Sequence, residues 1–221
     1  TTKPARRVKA GDRIEVTGDP IGYVGRGGLK LEGALDQFGI DPAGWVCLDV
    51  GASTGGFTDC LLRRGARRVY AVDVGRDQLH PSLRADSRVV VMEETDIRAV
   101  ASLPEPVALA AVDVSFISLT LVLPAVVRLL APHGQIVALI KPQFEVGPGG
   151  VGKGGIVRDP AQHQVAVNRV LGRAEELGLA CRKLIQSPIL GTEGNREFLA
   201  WLVRSADFGR EGGRSAGNRE S

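Results

Sequence analysis

The sequence predicts an α/β fold: one mostly parallel sheet of seven strands, closed by an antiparallel hairpin at its C-terminal end. Three observations carry this expectation. Short apolar runs alternate with stretches of helical period between residues 46 and 140, the pattern of a parallel sheet covered on both faces. The first apolar run ends at an acid and a glycine-rich turn that passes directly into a helical pattern, as nucleotide-binding α/β units begin. The last two apolar runs are joined by residues 188–196, a connection too short for a crossover, so they must pair antiparallel.

The elements follow in order. Residues 1–20 have no partner strand and read as an N-terminal arm or the end of a preceding module. Residues 27–39 place Leu31, Ala34, Leu35 and Phe38 on one face and stop at Gly39, an amphipathic helix. Strands are expected near 46–50, 68–73, 88–92, 107–113 and 134–140, with helices near 56–65, 77–84 and 118–131 between them. A glycine-rich loop, 147–155, follows the fifth strand. Asp159 and Pro160 then make an N-cap and first-turn pair for a helix to about Leu177, stopped at Gly178. Strands near 181–187 and 197–204 close the pattern, and 205–221 has the Gly, Ser and Arg content of a disordered tail.

At 221 residues and 43% apolar, the chain can bury one substantial core, so one main domain with appendages is expected. The longest apolar stretch, 107–132, is broken by Asp113, Ser115, Ser118 and Arg128 and reads as a strand and a helix rather than a membrane span. No secretory leader precedes the first motif, and Cys47, Cys60 and Cys181 lack the spacing of a zinc site or redox pair. Reduced core thiols in a cytoplasmic protein are expected. His80, His133 and His163 are too scattered for a metal cage or a histidine triad. The net charge of +3 arises within residues 1–26, where Lys3, Arg6, Arg7, Lys9, Arg13 and Arg26 outnumber Asp12, Glu15 and Asp19. A basic flank on a neutral domain suggests a polyanionic partner.

The turn itself narrows the ligand by exclusion. A dinucleotide fingerprint needs glycine where the pyrophosphate approaches, and Ser53 stands there between Gly51 and Gly56. A P-loop needs lysine before its Ser or Thr, and Phe57 takes that place. What survives is a tight turn for an uncharged or zwitterionic ligand such as S-adenosylmethionine, its amino-acid end meeting backbone groups and Asp49. A parallel sheet finished by an antiparallel hairpin is also the plan of the Rossmann-like methyltransferases that use this cofactor. Asp73, at the end of the second strand and 22 residues after Gly51, is placed to accept ribose hydroxyls, and Asp96 the adenine amino group. Asp113 and Lys141 end the fourth and fifth strands and therefore project from the same carboxyl edge.

Four motifs in this order resemble one known family, from about Tyr23 to Val203. They are Arg26 Gly27 Gly28 Leu29 Lys30; Asp49 Val50 Gly51 Ala52 Ser53 Thr54 Gly55 Gly56 Phe57 Thr58; Asp113 Val114 Ser115 Phe116 Ile117 Ser118 Leu119; and Lys141 Pro142 Gln143 Phe144 Glu145. Together they are similar to the hemolysin A (TlyA) family, which resembles the FtsJ-type ribosomal RNA 2'-O-methyltransferases. The resemblance implies transfer of a methyl group from S-adenosylmethionine to a ribose 2'-hydroxyl, at cytidine, in ribosomal RNA or ribosomal subunits, by a cytoplasmic enzyme. It also implies a tetrad falling on Lys30, Asp113, Lys141 and Glu197, with Glu193 the alternative for the last place. Lys141 would be the base, Asp113 and Glu197 would orient it, and Lys30 would steady the alkoxide. An S4-type RNA-binding domain is expected ahead of the catalytic domain, and residues 7–16 resemble its last strand. The loop 147–155, with Lys153 and Arg158, would be a lid touching RNA phosphates. Two other functions stand beside this one: a membrane-active hemolysin, as the family name suggests, and a cofactor-binding RNA-binding protein without turnover.

Overall fold

A computed structural model of the chain describes residues 22–191 and 194–207. The expected module end at residues 1–20, the alternative acid Glu193 and the tail from residue 208 lie outside the described residues. Within them the chain runs α1 (Gly27–Phe38), β1 (Val46–Val50), α2 (Gly56–Arg63), β2 (Arg68–Val72), α3 (Pro81–Arg84), β3 (Val89–Met92), β4 (Val107–Val112), α4 (Leu119–Leu129), β5 (Leu130–Ile140), α5 (Pro142–Glu145), α6 (Pro160–Glu176), β6 (Leu179–Gln186) and β7 (Phe198–Arg204).

The seven strands form one sheet in the order β3-β2-β1-β4-β5-β7-β6. β1 to β5 run parallel to one another, while β7 runs antiparallel to both β5 and β6. The predicted α/β class, parallel core and closing hairpin are therefore present. Alternate side chains of the central strands feed two cores, one on each face. Leu48, Val50, Val112 and Ile140 pack with α4 and α6, whereas Cys47, Val69, Leu109 and Leu139 pack with α1 and α2. Each fully buried aliphatic side chain contributes roughly 1.5–3 kcal/mol, so both faces hold the sheet. Burial pushes the Cys47 and Cys60 thiols up to about 12, consistent with inert core residues.

The structure departs from the sequence expectation in three places. The helix expected over 77–84 shrinks to α3, because the backbone N–H groups of Asp77, Gln78 and Leu79 donate to the Glu93 carboxylate instead of to a helical ladder. β5 begins at Leu130 rather than 134, continuing directly from α4. Pro124 sits inside α4 and leaves the Thr120 carbonyl without its helical donor, and the Arg173 side chain fills the gap at 3.3 Å. Residues 205–207 of the expected tail form a 3₁₀ turn.

The topology determines what meets at the carboxyl edge. β1, β2, β4 and β5 all end there, carrying the chain into Gly51, Asp73, Asp113 and Lys141. β7 runs the other way and so begins there, with Phe198 paired to Ile140, which brings Glu197 beside the end of β5. The start of α1 reaches the same edge by close glycine packing. A Cβ on Gly28 would lie 2.3 Å from the Tyr23 ring, and one on Gly56 would lie 2.9 Å from the Gly28 nitrogen. Glycine at 56 lets the two helix starts touch, and glycine at 28 lets the Tyr23 ring fold against α1, the packing that sets Lys30 at this edge.

Candidate active site

Two cavities open at this edge, one of about 390 Å³ and one of about 540 Å³. Gly51, Ser53, Asp113, Ser115 and Phe116 line both and form the partition between them. The smaller cavity contains Lys30, Asp113, Lys141 and Glu197, drawn from α1, β4, β5 and β7. The larger contains Asp73, Thr95, Asp96 and the exposed side chain of Val74.

The four charged residues of the smaller cavity are organised as two ion pairs. Lys30 Nζ lies 2.5 Å from Glu197 Oε2, and both side chains are nearly closed to solvent, at 9% and 3% exposure. Lys141 Nζ lies 2.5 Å from Asp113 Oδ1 and donates to Ser115 Oγ at 2.9 Å. The second pair is more open, at 11% and 19%. This pairing corrects one expectation: Asp113 holds Lys141, but Glu197 pairs with Lys30. The cause is the antiparallel start of β7, which sets Glu197 under α1. A buried pair of this kind cannot lose one partner cheaply, because the other charge is then left without compensation.

The glycine turn is shaped by two close approaches. Gly51 has φ of +85°, and a Cβ there would fall 2.2 Å from the Asp113 carbonyl oxygen, so the ends of β1 and β4 meet only because this residue is glycine. Gly55, at φ of +96°, instead packs beneath Leu79 and Leu83 and lines neither cavity. Ala52, Thr54, Gly56 and Phe57 line the tetrad cavity. Asp49 faces inward, fully buried, and accepts hydrogen bonds from Thr58 N at 2.9 Å and Thr58 Oγ1 at 2.7 Å. Burial pushes its carboxyl up to about 7 against the pull of the Thr58 donors, and its Oδ1 has no hydrogen-bond partner among the described residues.

Asp73 is held by its own loop. Its Oδ2 accepts from Ser53 N at 2.8 Å and its Oδ1 from Gly75 N at 2.7 Å, which leaves each oxygen a further lone pair toward the larger cavity. Asp96 caps the short 3₁₀ turn Ile97–Ala99 through Arg98 N and pairs with the Arg98 guanidinium at 2.5 Å, which holds its carboxyl below the usual range.

Three site residues stand inside the family motifs, but the sequence carries no signal of a role for any of them. Ser115 reads as an ordinary turn residue, yet it touches Lys141. Phe116 adopts φ of +63° and is 92% exposed, its ring 5.1 Å from that of Phe144 at the mouth shared by both cavities. A phenylalanine in left-handed backbone and open to water points to a binding role that periodicity cannot reveal. Glu145, at 1% exposure, accepts from Ser118 Oγ at 2.6 Å and Leu119 N at 2.8 Å, tying the loop after β4 to the turn after β5. Among the described residues there is no group of three or more His, Cys, Asp or Glu side chains arranged to hold a metal ion.

A glycine turn after β1, an acid after β2 and a seven-stranded sheet with only its seventh strand reversed define the class: a Rossmann-like methyltransferase domain. Known proteins agree. Residues 23–204 match the model of the FtsJ-like methyltransferases, and the chain belongs to that family. It is 48% identical over 210 residues to the 16S/23S rRNA (cytidine-2'-O)-methyltransferase TlyA of Mycobacterium tuberculosis, covering 93% of this chain and 78% of that one. The crystal structure of a candidate hemolysin from Lactococcus lactis superposes with a TM-score of 0.81 at 48% identity, covering 83% of this chain and 89% of that one. An S-adenosylmethionine dependent methyltransferase from Mesorhizobium loti shares the fold, with a TM-score of 0.58 at 14% identity over 78% of this chain and 96% of that one.

Proposed function

We propose that this chain transfers a methyl group from S-adenosylmethionine to a ribose 2'-hydroxyl of ribosomal RNA, at cytidine. The observation that carries the proposal is the pair of ion pairs, Lys141–Asp113 and Lys30–Glu197, lining one cavity that shares the Gly51 wall with a second. The 48% identity to a cytidine-2'-O-methyltransferase supports the choice of acceptor.

The residues present fit the methyl donor. The larger cavity offers Asp73 lone pairs for ribose hydroxyls, Asp96 near the adenine end and the exposed Val74 as an apolar face. The turn at 51–57 offers backbone to the amino-acid end, and buried Asp49 lies beneath it, bracing the turn through the Thr58 donors to its Oδ2 while its Oδ1 has no partner among the described residues. S-adenosylmethionine, when bound, supplies a methyl carbon on a positively charged sulfur that leaves as a neutral thioether. A ribose hydroxyl is a poor nucleophile until its proton is withdrawn, so the chain must align it and take that proton. Once its ion-paired ammonium has given a proton to solvent, the neutral Lys141 amine takes the hydroxyl proton as the oxygen attacks, and Asp113 pairs again with the ammonium that re-forms. Lys30, fixed by Glu197, presents a cation toward the forming alkoxide. Ser115 holds the Lys141 amine in line, and the Phe116–Phe144 pair gives the acceptor base a stacking face.

In this reading residues 21–204 form the catalytic domain of a cytoplasmic enzyme that acts on ribosomal RNA or ribosomal subunits. Among the described residues no helix is long and apolar enough to cross a membrane. Incubating the protein with donor labelled in its methyl group and with each ribosomal subunit, then digesting the RNA to nucleosides, tests the proposal. Label on ribose is expected, and label on a base would refute the tetrad mechanism. Leakage of liposomes at low protein concentration would favour a membrane-active function instead.

A further inference from the structure

Arginines on the β2–β3 side of the sheet are matched to carboxylates. Arg67 and Arg68 share Glu105, Arg84 pairs with Glu93 and Arg88 with Asp86. Four cations near the tetrad break this rule. Arg26, Lys153, Arg158 and Arg196 are all exposed, and none has a carboxylate within ion-pair reach among the described residues. The Arg26 guanidinium donates one hydrogen bond among the described residues, to the Leu190 carbonyl at 2.8 Å.

These four residues belong to three segments that are bound to one another. Arg26, at the start of α1, reaches the connection between β6 and β7 through Leu190. In that connection Gly191 N donates to the Asn195 carbonyl at 2.9 Å. Asn195, at 1% exposure, then fastens the loop that carries Lys153 and Arg158: its Oδ1 accepts from Val157 N and its Nδ2 donates to Gly155 O, each at 2.9 Å. His163 holds the same loop from α6, its Nε2 lying 2.8 Å from the Val157 carbonyl. The connection ends in Arg196 and Glu197, and Glu197 lines the tetrad cavity together with Arg26. Inside that cavity the two lysines and two carboxylates cancel, so Arg26 supplies its net positive charge.

We propose that Arg26, Lys153, Arg158 and Arg196 form a phosphodiester-binding rim that holds the RNA strand on both sides of the nucleotide entering the tetrad cavity. The proposal rests on RNA as the substrate. A ribose inside the cavity necessarily brings a phosphate on its 5' and its 3' side to the walls around the mouth, and cations with no carboxylate paired to them among the described residues meet them without first breaking an ion pair. Three of the four are arginines, whose planar fork matches a phosphate bidentately. The matched arginines of the β2–β3 side would have to break an ion pair to do the same.

The test is the salt dependence of binding to a fluorescently labelled RNA of fixed sequence, without methyl donor. Changing Arg26, Lys153, Arg158 and Arg196 together to Gln should flatten the slope of log affinity against log salt by roughly 0.7–0.9 per residue, so that between about 50 and 200 mM salt the parent loses roughly 100-fold more affinity than the variant. The double variant Arg67→Gln, Arg68→Gln should keep the parent slope. If the four-site variant does not fold, Arg26→Gln and Arg196→Gln alone should each remove about one unit of slope. An unchanged slope in the rim variants, or an equal loss in the Arg67 and Arg68 control, would overturn the rim. Capture of phosphatidylserine vesicles as tightly as RNA, with the same dependence on these four residues, would assign the surface to membranes instead. A full slope effect without any ribose label would uphold the rim and count against methyl transfer alone.

Discussion

The two cavities that meet at Gly51 are built on different principles. The smaller is charged and internally balanced: its lysines and carboxylates come from four separate elements and satisfy one another as Lys30–Glu197 and Lys141–Asp113. The larger is lined by the stretches that follow β1, β2, β3 and β4, and its acid Asp73 is satisfied by backbone, Ser53 N and Gly75 N, rather than by a cation. Side-chain ion pairs can change partners when a proton moves. A carboxylate held by backbone N–H groups cannot, so it suits a site that binds a ligand and leaves it chemically unchanged. On the function proposed above, the difference fits a smaller cavity that carries the reaction and a larger one that holds the donor.

Separate roles predict separate consequences of mutation. Lys141→Ala should give the largest effect, lowering the rate of methyl transfer by about 10²–10⁴-fold, read as initial label incorporation at saturating donor. Lys30→Ala leaves Glu197 buried at 3% exposure without its cation. A stability loss of roughly 3–5 kcal/mol is expected in denaturant unfolding, larger than for Asp113→Ala, whose pair is more open. Asp73→Ala should weaken donor binding by about 10–100-fold by calorimetry, the value of one or two hydrogen bonds to a charged acceptor, while the rate at saturating donor stays near that of the parent.

The smallest predicted effect concerns Asp49, beneath the partition. Burial raises its carboxyl to about 7, against roughly 4 in the unfolded chain. The folded chain therefore binds an extra proton between those values, and its stability falls as pH rises through that window. Asp49→Asn removes the titration and keeps an acceptor for Thr58. Its melting temperature relative to the parent should accordingly rise by a few degrees from about pH 5 to about pH 8, and an unchanging difference would show that Asp49 is not the titrating group.

The contrast also explains what could be read from the sequence. Strand positions and the antiparallel ending follow from period and connection length, which are local properties, and they are present in the structure. Asp113 and Lys141 are legible because parallel strands place their ends at one edge. Lys30 and Glu197 are not legible that way. They arrive through glycine packing at Gly28 and Gly56 and through the reversal of β7, and only the resemblance to a known family pointed to them. The partnership of Glu197 with Lys30 instead of Lys141 is a tertiary fact with no local signature. Ser115, Phe116 and Glu145 escaped for the same reason, since each gains its meaning from a contact made far along the chain. The helix expected at 77–84 failed because Glu93, from the next strand's end, captures its amide groups.

The division of labour is tested most directly by measuring donor affinity and single-turnover methyl transfer on the same two variants, Lys141→Ala and Asp73→Ala. Lys141→Ala should bind donor as the parent does and transfer methyl at least 100-fold more slowly, whereas Asp73→Ala should bind donor weakly and, once saturated, transfer at close to the parent rate. Full-rate transfer by donor-bound Lys141→Ala would contradict the account.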